Sequence, residues 1–319
     1  MIHFVYAGYP GDPRIQSPYC ITNNLYNYLS KRAEVKYYEW TSRDNIQYNE
    51  DDIILGHPFY DQNTPTQLAF ANPKPCRAKC LIHPLHHARP EDNFPFDGMA
   101  RKADKIFSIC GPYWYNTLES SKFAHWKPKI TRLDMAVDLN VWPYRKEIFN
   151  APRNRRLLYV GSSMPQKNLS LMHGILKELP HVAMSWYGGS SDHPLAKLPN
   201  VTVYGWQAFT PETVKDICNR HDLFLNTSYS DANPTTLLEF CLASGVVPIC
   251  TEASGYHNDS CFINIPQDRD GALAIVKEWL KAPPEKLRAI SLENRRVCEE
   301  VYTWDKFCST VWNGLTEYV

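Results

Sequence analysis

Short apolar runs alternate with helix-length segments along the whole chain, and this order restricts the fold more than any other feature of the sequence. In the first half these runs occupy residues 2–7, 35–40, 53–56, 80–83, 106–110 and 130–137. In the second half they occupy residues 156–161, 182–187, 201–205, 222–226 and 246–250. Runs that are apolar throughout are typical of parallel strands that helices cover on both faces. The pattern predicts two successive doubly wound α/β halves.

The break between the two halves is predicted in a charged segment. Residues 143–156 contain two prolines and a cluster of charges, and the alternation begins again after them. We therefore place the boundary near residue 150, which gives domains 1–150 and 151–319. A length of 319 residues fits two domains. The carboxyl ends of two facing sheets would form a ligand-binding cleft.

The composition restricts the kind of partner. Lys plus Arg and Asp plus Glu each total 34, so the formal net charge is zero and no global field favours nucleic acid or an anionic membrane. No stretch approaches the roughly 20 apolar residues of a spanning helix. The first ten residues are too polar for a signal peptide. We expect a cytoplasmic protein.

The window from Ser230 to Glu239 carries the most specific chemistry. Asn233 is a good helix N-cap and Pro234 suits the first helical position. The free amides around Thr235 and Thr236 would therefore form an anion site at the end of a strand. Asp231 and Glu239 would flank this site and accept hydrogen bonds from sugar hydroxyls. The spacing fits equally well a loop Asp and a solvent-facing Glu.

The acidic pair and the segment that follows it, LLEFCLASGVVPIC, resemble the E-x7-E motif of family 4 retaining glycosyltransferases of GT-B fold. The resemblance implies that Asp231 contacts the transferred sugar and that Glu239 holds the ribose. It also implies that the backbone at Asn233, Pro234, Thr235 and Thr236 meets the diphosphate. The chain departs from the motif in having Asp231 in place of the usual Glu, and Ala-Asn-Pro where many members have a Gly-aromatic-Gly run.

Residues 159–168 resemble another segment of the same family, in which a glycine turn leads to a lysine before a helix. Lys167 would then bind the donor diphosphate, with Ser162 and Ser163 at the place where the family has an arginine. A cation just before a helix opposes the helix dipole, and an anionic partner would remove that conflict. Taken by itself, an exposed lysine such as Lys167 is usually only a solubilising surface residue.

The first half resembles the family more weakly. Residues 130–143 are similar to the segment that closes its N-terminal domain, and residues 8–11 are similar to its glycine-rich first turn, with Gly11 close to the donor. His83 matches a family histidine that faces the reacting sugar, although His86 and His87 compete for that role. The last helix, about residues 303–319, is expected to cross back to the N-terminal domain as in relatives.

The resemblance implies transfer of a sugar, with retention, from a nucleotide-diphosphate donor of the UDP or GDP type to a hydroxyl acceptor such as a glycan, a lipid-linked sugar or a small molecule. His83, Lys167, Asp231 and Glu239 would carry the reaction, with no metal and no further cofactor. Two alternatives are a catalytically silent nucleotide-sugar-binding module and a sugar-nucleotide isomerase of the same fold. The two departures from the motif residues are the reason for considering the silent module.

Three other patterns compete for function. The pairs Cys76–Cys80 and His83–His87 have zinc-ligand spacings, although only two residues separate them. Residues 268–270 contain a D-x-D pattern, which reads more simply as a helix cap. An aromatic and basic mixture at residues 113–129 would suit a membrane surface, a lipid-linked acceptor or, less well, DNA, but such residues usually form the edge of a core with solvated lysines.

Overall fold

The computed structural model describes residues 1–59, 61–84, 96–231, 233–256 and 261–318, without the side chains at 83, 84 and 211. The chain forms two compact units. Unit 1 consists of Met1–Cys110, Trp114–Met135 and Trp304–Val319. Unit 2 consists of Gly111–Tyr113 and Ala136–Thr303.

Unit 1 is built on a six-stranded parallel sheet. Its strands are β1 (Ile2–Tyr6), β2 (Val35–Glu39), β3 (Ile53–Gly56), β4 (Ala78–Pro84), β5 (Lys105–Ile109) and β6 (Ile130–Leu133). They lie in the order β2-β1-β3-β4-β5-β6, and every pairing is parallel. The helices of this half are α1 (Ser17–Ser30), α2 (Pro65–Ala71), α3 (Asp97–Lys102) and α4 (Pro112–Thr117).

Unit 2 repeats this architecture. Its strands are β7 (Arg156–Val160), β8 (Ala183–Tyr187), β9 (Val201–Tyr204), β10 (Leu223–Asn226), β11 (Val247–Thr251) and β12 (Ile263–Ile265). They lie in the order β12-β11-β10-β7-β8-β9 and are again all parallel. The direction of winding reverses between β7 and β10. Doubly wound sheets bind ligands at the carboxyl ends of the strands at such a switch point.

Helices cover both faces of these sheets. The chain adds α5 (Leu169–Lys177), α6 (Pro211–Arg220), a π-helix (Leu237–Ala243), α7 (Arg269–Leu280), α8 (Pro284–Val301) and α9 (Trp304–Thr316). Within unit 1, α9 packs against α1 and β6. In the described parts of the chain, no helix combines the length and the apolar character needed to cross a bilayer.

The predicted order of strands along the chain and the parallel α/β class are confirmed. Short apolar runs of this kind are typical of parallel strands buried between helical layers. The helix cap predicted at residues 268–270 is confirmed, because the side chain of Asp268 accepts a hydrogen bond from the Gly271 N–H at 2.7 Å. Helix α6 is capped in the same way by Thr210, whose side chain accepts from the Thr213 N–H at 3.3 Å. At α1, Ser17 is the first helical residue and Gln16 holds the cap position.

The two units divide at Met135 and Ala136 rather than near residue 150. Residues 143–156, which the sequence suggests as a break between domains, belong to unit 2. The physical reason is a buried ion pair: the side chain of Lys146 is fully enclosed and lies 3.2 Å from that of Asp222. The sequence shows that Lys146 belongs to a group of charged residues. It does not show that Lys146 is buried beside Asp222, which is 76 residues away.

Candidate functional site

The loops that leave β7 and β10 at the switch point of unit 2 are bonded to each other. The hydroxyl of Thr227 donates to the Asn168 carbonyl at 3.0 Å, and the Tyr229 N–H donates to the Gln166 carbonyl at 3.0 Å. Asn168 adopts a left-handed conformation with φ of 50°, so the chain turns sharply there before α5 begins. These bonds hold both loops at one edge of the sheet.

Lys167 and Asp231 form an ion pair at this edge. The two residues are 64 positions apart, and the contacts between the two loops bring their side chains together. Their side chains keep 21% and 9% of their surface exposed. Of the three N–H donors of Lys167, the described residues engage only the one that meets Asp231. The pair is therefore largely shielded and still accessible to a ligand.

The loop after β11 supports Asp231 from the other side. The Asp231 N–H donates to the Ala253 carbonyl at 3.3 Å, and Asp231 forms an isolated parallel bridge with Ser254. Further along, the buried hydroxyl of Tyr256 donates to the Pro234 carbonyl at 3.0 Å. Loops from three neighbouring strands thus fix the segment that leads into the next helix.

That helix differs from the predicted one. Helical structure begins at Thr235, and Leu237–Ala243 forms a π-helix in which nearly every residue is buried. The side-chain amide of Asn233, two residues before this start, donates to the Gly255 carbonyl at 3.3 Å. The N–H groups of Thr235 and Thr236 still lie in the first turn, where helices lack internal acceptors. π-Helical turns are rare and frequent at functional sites.

Glu239 lies within the π-helix and is half-buried. Its carboxyl group has no hydrogen-bond or ion-pair partner in the described parts of the chain. Burial raises the pKa of Glu239 to about 7, because the surrounding protein disfavours the charged form. A carboxyl group that titrates near neutrality and keeps accessible surface is available to accept hydrogen bonds from a ligand.

Ser162 and Ser163 are exposed in the loop after β7. The base of this loop is fixed from below: Tyr159 donates its buried hydroxyl to the Ser162 carbonyl at 3.2 Å, and the Trp186 ring N–H donates to the Gly161 carbonyl at 2.9 Å. The sequence analysis did not identify either aromatic residue. Nothing distinguishes them from other aromatic residues in buried strands.

The predicted residues of unit 1 are less completely described. Gly11 is exposed with φ of +91°, a conformation that favours glycine, and its N–H donates to the Asn23 side chain at 2.7 Å. That N–H is therefore already engaged within unit 1. The backbone of His83 lies in β4, but its side chain, together with His86 and His87, is outside the described residues.

The structure describes parts of the competing zinc-ligand pattern and of the aromatic and basic segment. Within residues 1–59, 61–84, 96–231, 233–256 and 261–318, no three His, Cys, Asp or Glu side chains are grouped as metal ligands would be. Cys76 is half-buried and Cys80 is fully buried in β4. In the aromatic and basic segment, Trp126 is buried, Lys127 pairs with Glu119, and Lys129 donates to the Ala103 carbonyl at 2.6 Å.

The structure also shows a buried cluster of charged side chains around Asp222 that the sequence does not predict. At the amino end of β10, Asp222 accepts hydrogen bonds from Lys146 at 3.2 Å and from the Asn150 N–H at 2.9 Å, and its carboxylate lies 3.5 Å from Arg155. All three charged side chains are fully buried. No local signal predicts this cluster, because Asp222 is distant in sequence from Lys146, Asn150 and Arg155, and these three lie in a segment that resembles a linker.

Neither a family model nor a curated protein matches the sequence. Solved structures do match its fold. Sucrose-phosphate synthase from Thermosynechococcus elongatus aligns with a TM-score of 0.70 at 11% identity, over 99% of this chain and 98% of the other. The catalytic domain of starch synthase IV from Arabidopsis thaliana, solved with ADP and acarbose, aligns with a TM-score of 0.68 at 13% identity, over 99% of both chains.

A third match is Anabaena HepE, solved with UDP and glucose, with a TM-score of 0.62 at 12% identity over 99% of both chains. These structures are GT-B glycosyltransferases, and the likeness shows that this chain has the GT-B fold. At identities of 11–13% it shows the fold alone. The residues at the switch point of unit 2 carry the information on which reaction the chain could catalyse.

Proposed function

We propose that this chain is a glycosyltransferase that moves a sugar, with retention of configuration, from a nucleoside-diphosphate donor to a hydroxyl acceptor. The observation that carries the proposal is the Lys167–Asp231 ion pair at the switch point of unit 2. Lys167 supplies a cation for the diphosphate, and Asp231 supplies an acid for the sugar. The two residues are 64 positions apart in sequence, and they pair just before the helix that contains Glu239.

In the proposed complex, Lys167 and the N–H groups of Thr235 and Thr236 bind the diphosphate. Helix amino ends and lysine side chains are both suited to phosphate oxygens. Asn233 and Pro234 fix the backbone that leads into this turn. Ser162 and Ser163 contact the donor from the loop after β7, and Gly11 of unit 1 contacts it as well. Glu239 accepts hydrogen bonds from the ribose hydroxyls, and Asp231 and His83 orient the transferred sugar.

The reaction breaks the bond between the anomeric carbon and the diphosphate oxygen, and forms a bond from the acceptor oxygen on the same face. The acceptor proton passes to the departing diphosphate oxygen. No protein nucleophile and no metal is needed in this scheme. Lys167 and the helix amides stabilise the charge that develops on the leaving group, and such preorganised donors are usually a large catalytic contribution.

The proposed donor is a sugar linked to UDP or GDP. Structural neighbours solved with UDP and with ADP support a nucleoside diphosphate in general, so the base has to be established by measurement. The acceptor we propose is a glycan, a lipid-linked sugar or a small hydroxyl compound. A silent binding module would share the donor site without the transfer step.

The first experiment measures thermal unfolding with UDP, GDP, ADP and their glucose conjugates. A nucleotide at one hundred times its dissociation constant adds about 2.7 kcal/mol of apparent stability. We expect one base to stabilise the parent protein and not Lys167→Ala. Lys177→Ala, which removes an exposed lysine from the last turn of α5, is the matched control and keeps the shift. Equal shifts in all three proteins would place the nucleotide elsewhere.

The second experiment uses the donor so identified. Slow hydrolysis of the donor without acceptor indicates a transferase, whereas tight binding with no turnover indicates the silent module. The anomeric configuration of the transferred sugar, measured from proton coupling in NMR spectra, then tests retention. An inverted product would contradict the same-face reaction while leaving the donor site intact.

A further inference from the structure

Three polar side chains meet near the carboxyl ends of β5 and β6, within unit 1. Ser108 and Arg132 are direct neighbours in the register of these parallel strands, so their side chains share one face of the sheet. Cys110 follows β5 and interacts electrostatically with Arg132. The Tyr115 ring lies 4.5 Å from the Arg132 guanidinium carbon. All four residues belong to unit 1.

The donors of this cluster lack acceptors. Arg132 has two buried nitrogen atoms, Nε and Nη2, with no hydrogen-bond partner, and Ser108 has a fully buried hydroxyl, also without one. Across the described residues, Arg132 forms no ion pair. Both Arg132 and Ser108 interact with the Cys110 thiol and lower its pKa, but burial outweighs them and raises that pKa to about 12, and a thiol is only a weak acceptor.

A buried guanidinium without a partner is costly, because its desolvation is not repaid by hydrogen bonds or by an opposite charge. Arg155, which is buried, shows how such a charge can be balanced. Arg155 also has buried nitrogens without hydrogen bonds, but it lies 3.5 Å from the Asp222 carboxylate, and its Nη2 donates to the Ala282 carbonyl at 2.8 Å. The charge of Arg155 is therefore balanced inside the protein, and that of Arg132 is not.

We infer that Arg132 and Ser108 form a binding site for an oxyanion, a phosphate or a carboxylate. The planar guanidinium presents Nε and Nη2 side by side, which is the geometry that holds two oxygens of one such group. The Ser108 hydroxyl supplies a third donor from the adjacent strand. The side chain of Arg132 keeps some exposed surface, whereas Nε, Nη2 and the Ser108 hydroxyl are buried. The side chains around these three donors must therefore shift to admit an oxyanion.

This inference rests on the proposed function where it names the source of the anion. The residues proposed for the donor diphosphate belong to unit 2, whereas Arg132 and Ser108 belong to unit 1. The proposed function gives the first half of the chain to the acceptor, so the oxyanion is assigned to the acceptor, which becomes a hydroxyl compound that carries a phosphate or carboxylate group. A neutral glycan would supply no negative charge to balance the Arg132 guanidinium.

The test compares phosphate, acetate and chloride at equal ionic strength, and glycerol 3-phosphate with glycerol, by thermal unfolding. We expect phosphate or acetate, and glycerol 3-phosphate, to stabilise the parent protein. The apparent dissociation constant for the stabilising ion rises at least tenfold in Arg132→Met. It rises less in Arg132→Lys, because lysine keeps the positive charge but lacks the two adjacent N–H donors of the guanidinium. Without anions, Arg132→Met unfolds at the same or a higher temperature, because it removes an unbalanced charge.

Two further variants separate this site from the donor site. Arg32→Met is the matched control within unit 1: its guanidinium lies 3.5 Å from the centre of the Tyr28 ring and donates to the Tyr28 carbonyl at 2.9 Å. It should respond to phosphate as the parent does. Lys167→Ala should also keep the Arg132-dependent shift, because it alters only the donor site.

The outcomes are distinct. A phosphate shift that survives in Arg132→Met and disappears in Lys167→Ala overturns the oxyanion site and leaves the proposed function standing. A shift that depends on Arg132 while no nucleotide binds supports the oxyanion site and contradicts the donor site. Equal responses of all variants to phosphate, acetate and chloride overturn the inference.

Discussion

Strand β10 has a Lys–Asp ion pair at each end, and the two pairs differ in almost every physical respect. At the amino end, Asp222 and Lys146 are fully buried. At the carboxyl end, Asp231 and Lys167 retain 9% and 21% of their side-chain surface. The same two residue types therefore occupy a sealed environment at one end of a four-residue strand and an accessible one at the other.

The amino-end pair is saturated with hydrogen bonds. Asp222 accepts from Lys146, from the Asn150 backbone and from the Asn150 side chain, and Lys146 also donates to the His221 carbonyl at 2.7 Å. Burial lowers the pKa of Lys146, while Asp222 opposes that shift. A pair that uses nearly all of its bonding capacity inside the protein holds the chain together and has little left for a ligand.

The carboxyl-end pair is not saturated. In the described structure, Lys167 bonds through its amine only to Asp231, and Asp231 uses its carboxylate only for Lys167. The comparison suggests that saturation, rather than the presence of an ion pair, separates structural charges from binding charges in this unit. Three predictions test that distinction.

The largest effect is expected at the sealed pair. Asp222→Ala leaves Lys146 and Arg155 buried without a counter-charge, and breaking a buried pair in this way typically costs about 3–5 kcal/mol. Urea denaturation followed by circular dichroism should show a loss of this size in the unfolding free energy. A loss below about 1 kcal/mol would mean that the cluster tolerates water, and the contrast between the two ends would fail.

A different result is expected at the accessible pair. Asp231→Ala removes the partner of a lysine that can reach solvent, so the unfolding free energy should change by about 1 kcal/mol or less. Sugar transfer should fall at least about 100-fold, because the group proposed to orient the sugar is lost. Rates with the identified donor and the same urea titration measure the two quantities. A large stability loss with normal activity would give this pair a structural role.

The smallest effect concerns Glu239 and pH. Burial raises the pKa of Glu239 from 4.5 to about 7, so the folded protein binds this proton more tightly than the unfolded chain. Relative to Glu239→Gln, the parent should therefore lose up to about 2.6 kcal/mol of unfolding free energy as the pH rises from about 4.5 to 7, and little more above that. Paired denaturation curves across this range test the sign.

Glu239 also allows a check through binding. Ribose hydroxyls donate to the carboxylate form, so nucleotide affinity of the parent should increase several-fold as the pH rises through about 7. The Glu239→Gln variant lacks this group and should show no such step. Calorimetric titrations at a few pH values distinguish the two curves, and identical curves would remove Glu239 from the ribose site.

The sequence by itself determined the class and order of the fold. Buried parallel strands need continuous apolar runs, and helix caps need particular polar residues such as Thr210 and Asp268. Both signals are local, so they can be read without the structure. The window from Asp231 to Glu239 was identified in the same way, because its residues are consecutive.

Only the tertiary structure decided which charges meet. The pairing of Lys167 with Asp231, the enclosure of Lys146 beside Asp222 and the isolation of Arg132 each depend on contacts between segments distant in sequence or on neighbouring strands. The π-helical form of residues 237–243 is of the same kind, since its buried side chains are fixed by packing. Desolvation and ion pairing act over a few ångströms, and the spacing of residues along a chain does not fix those distances.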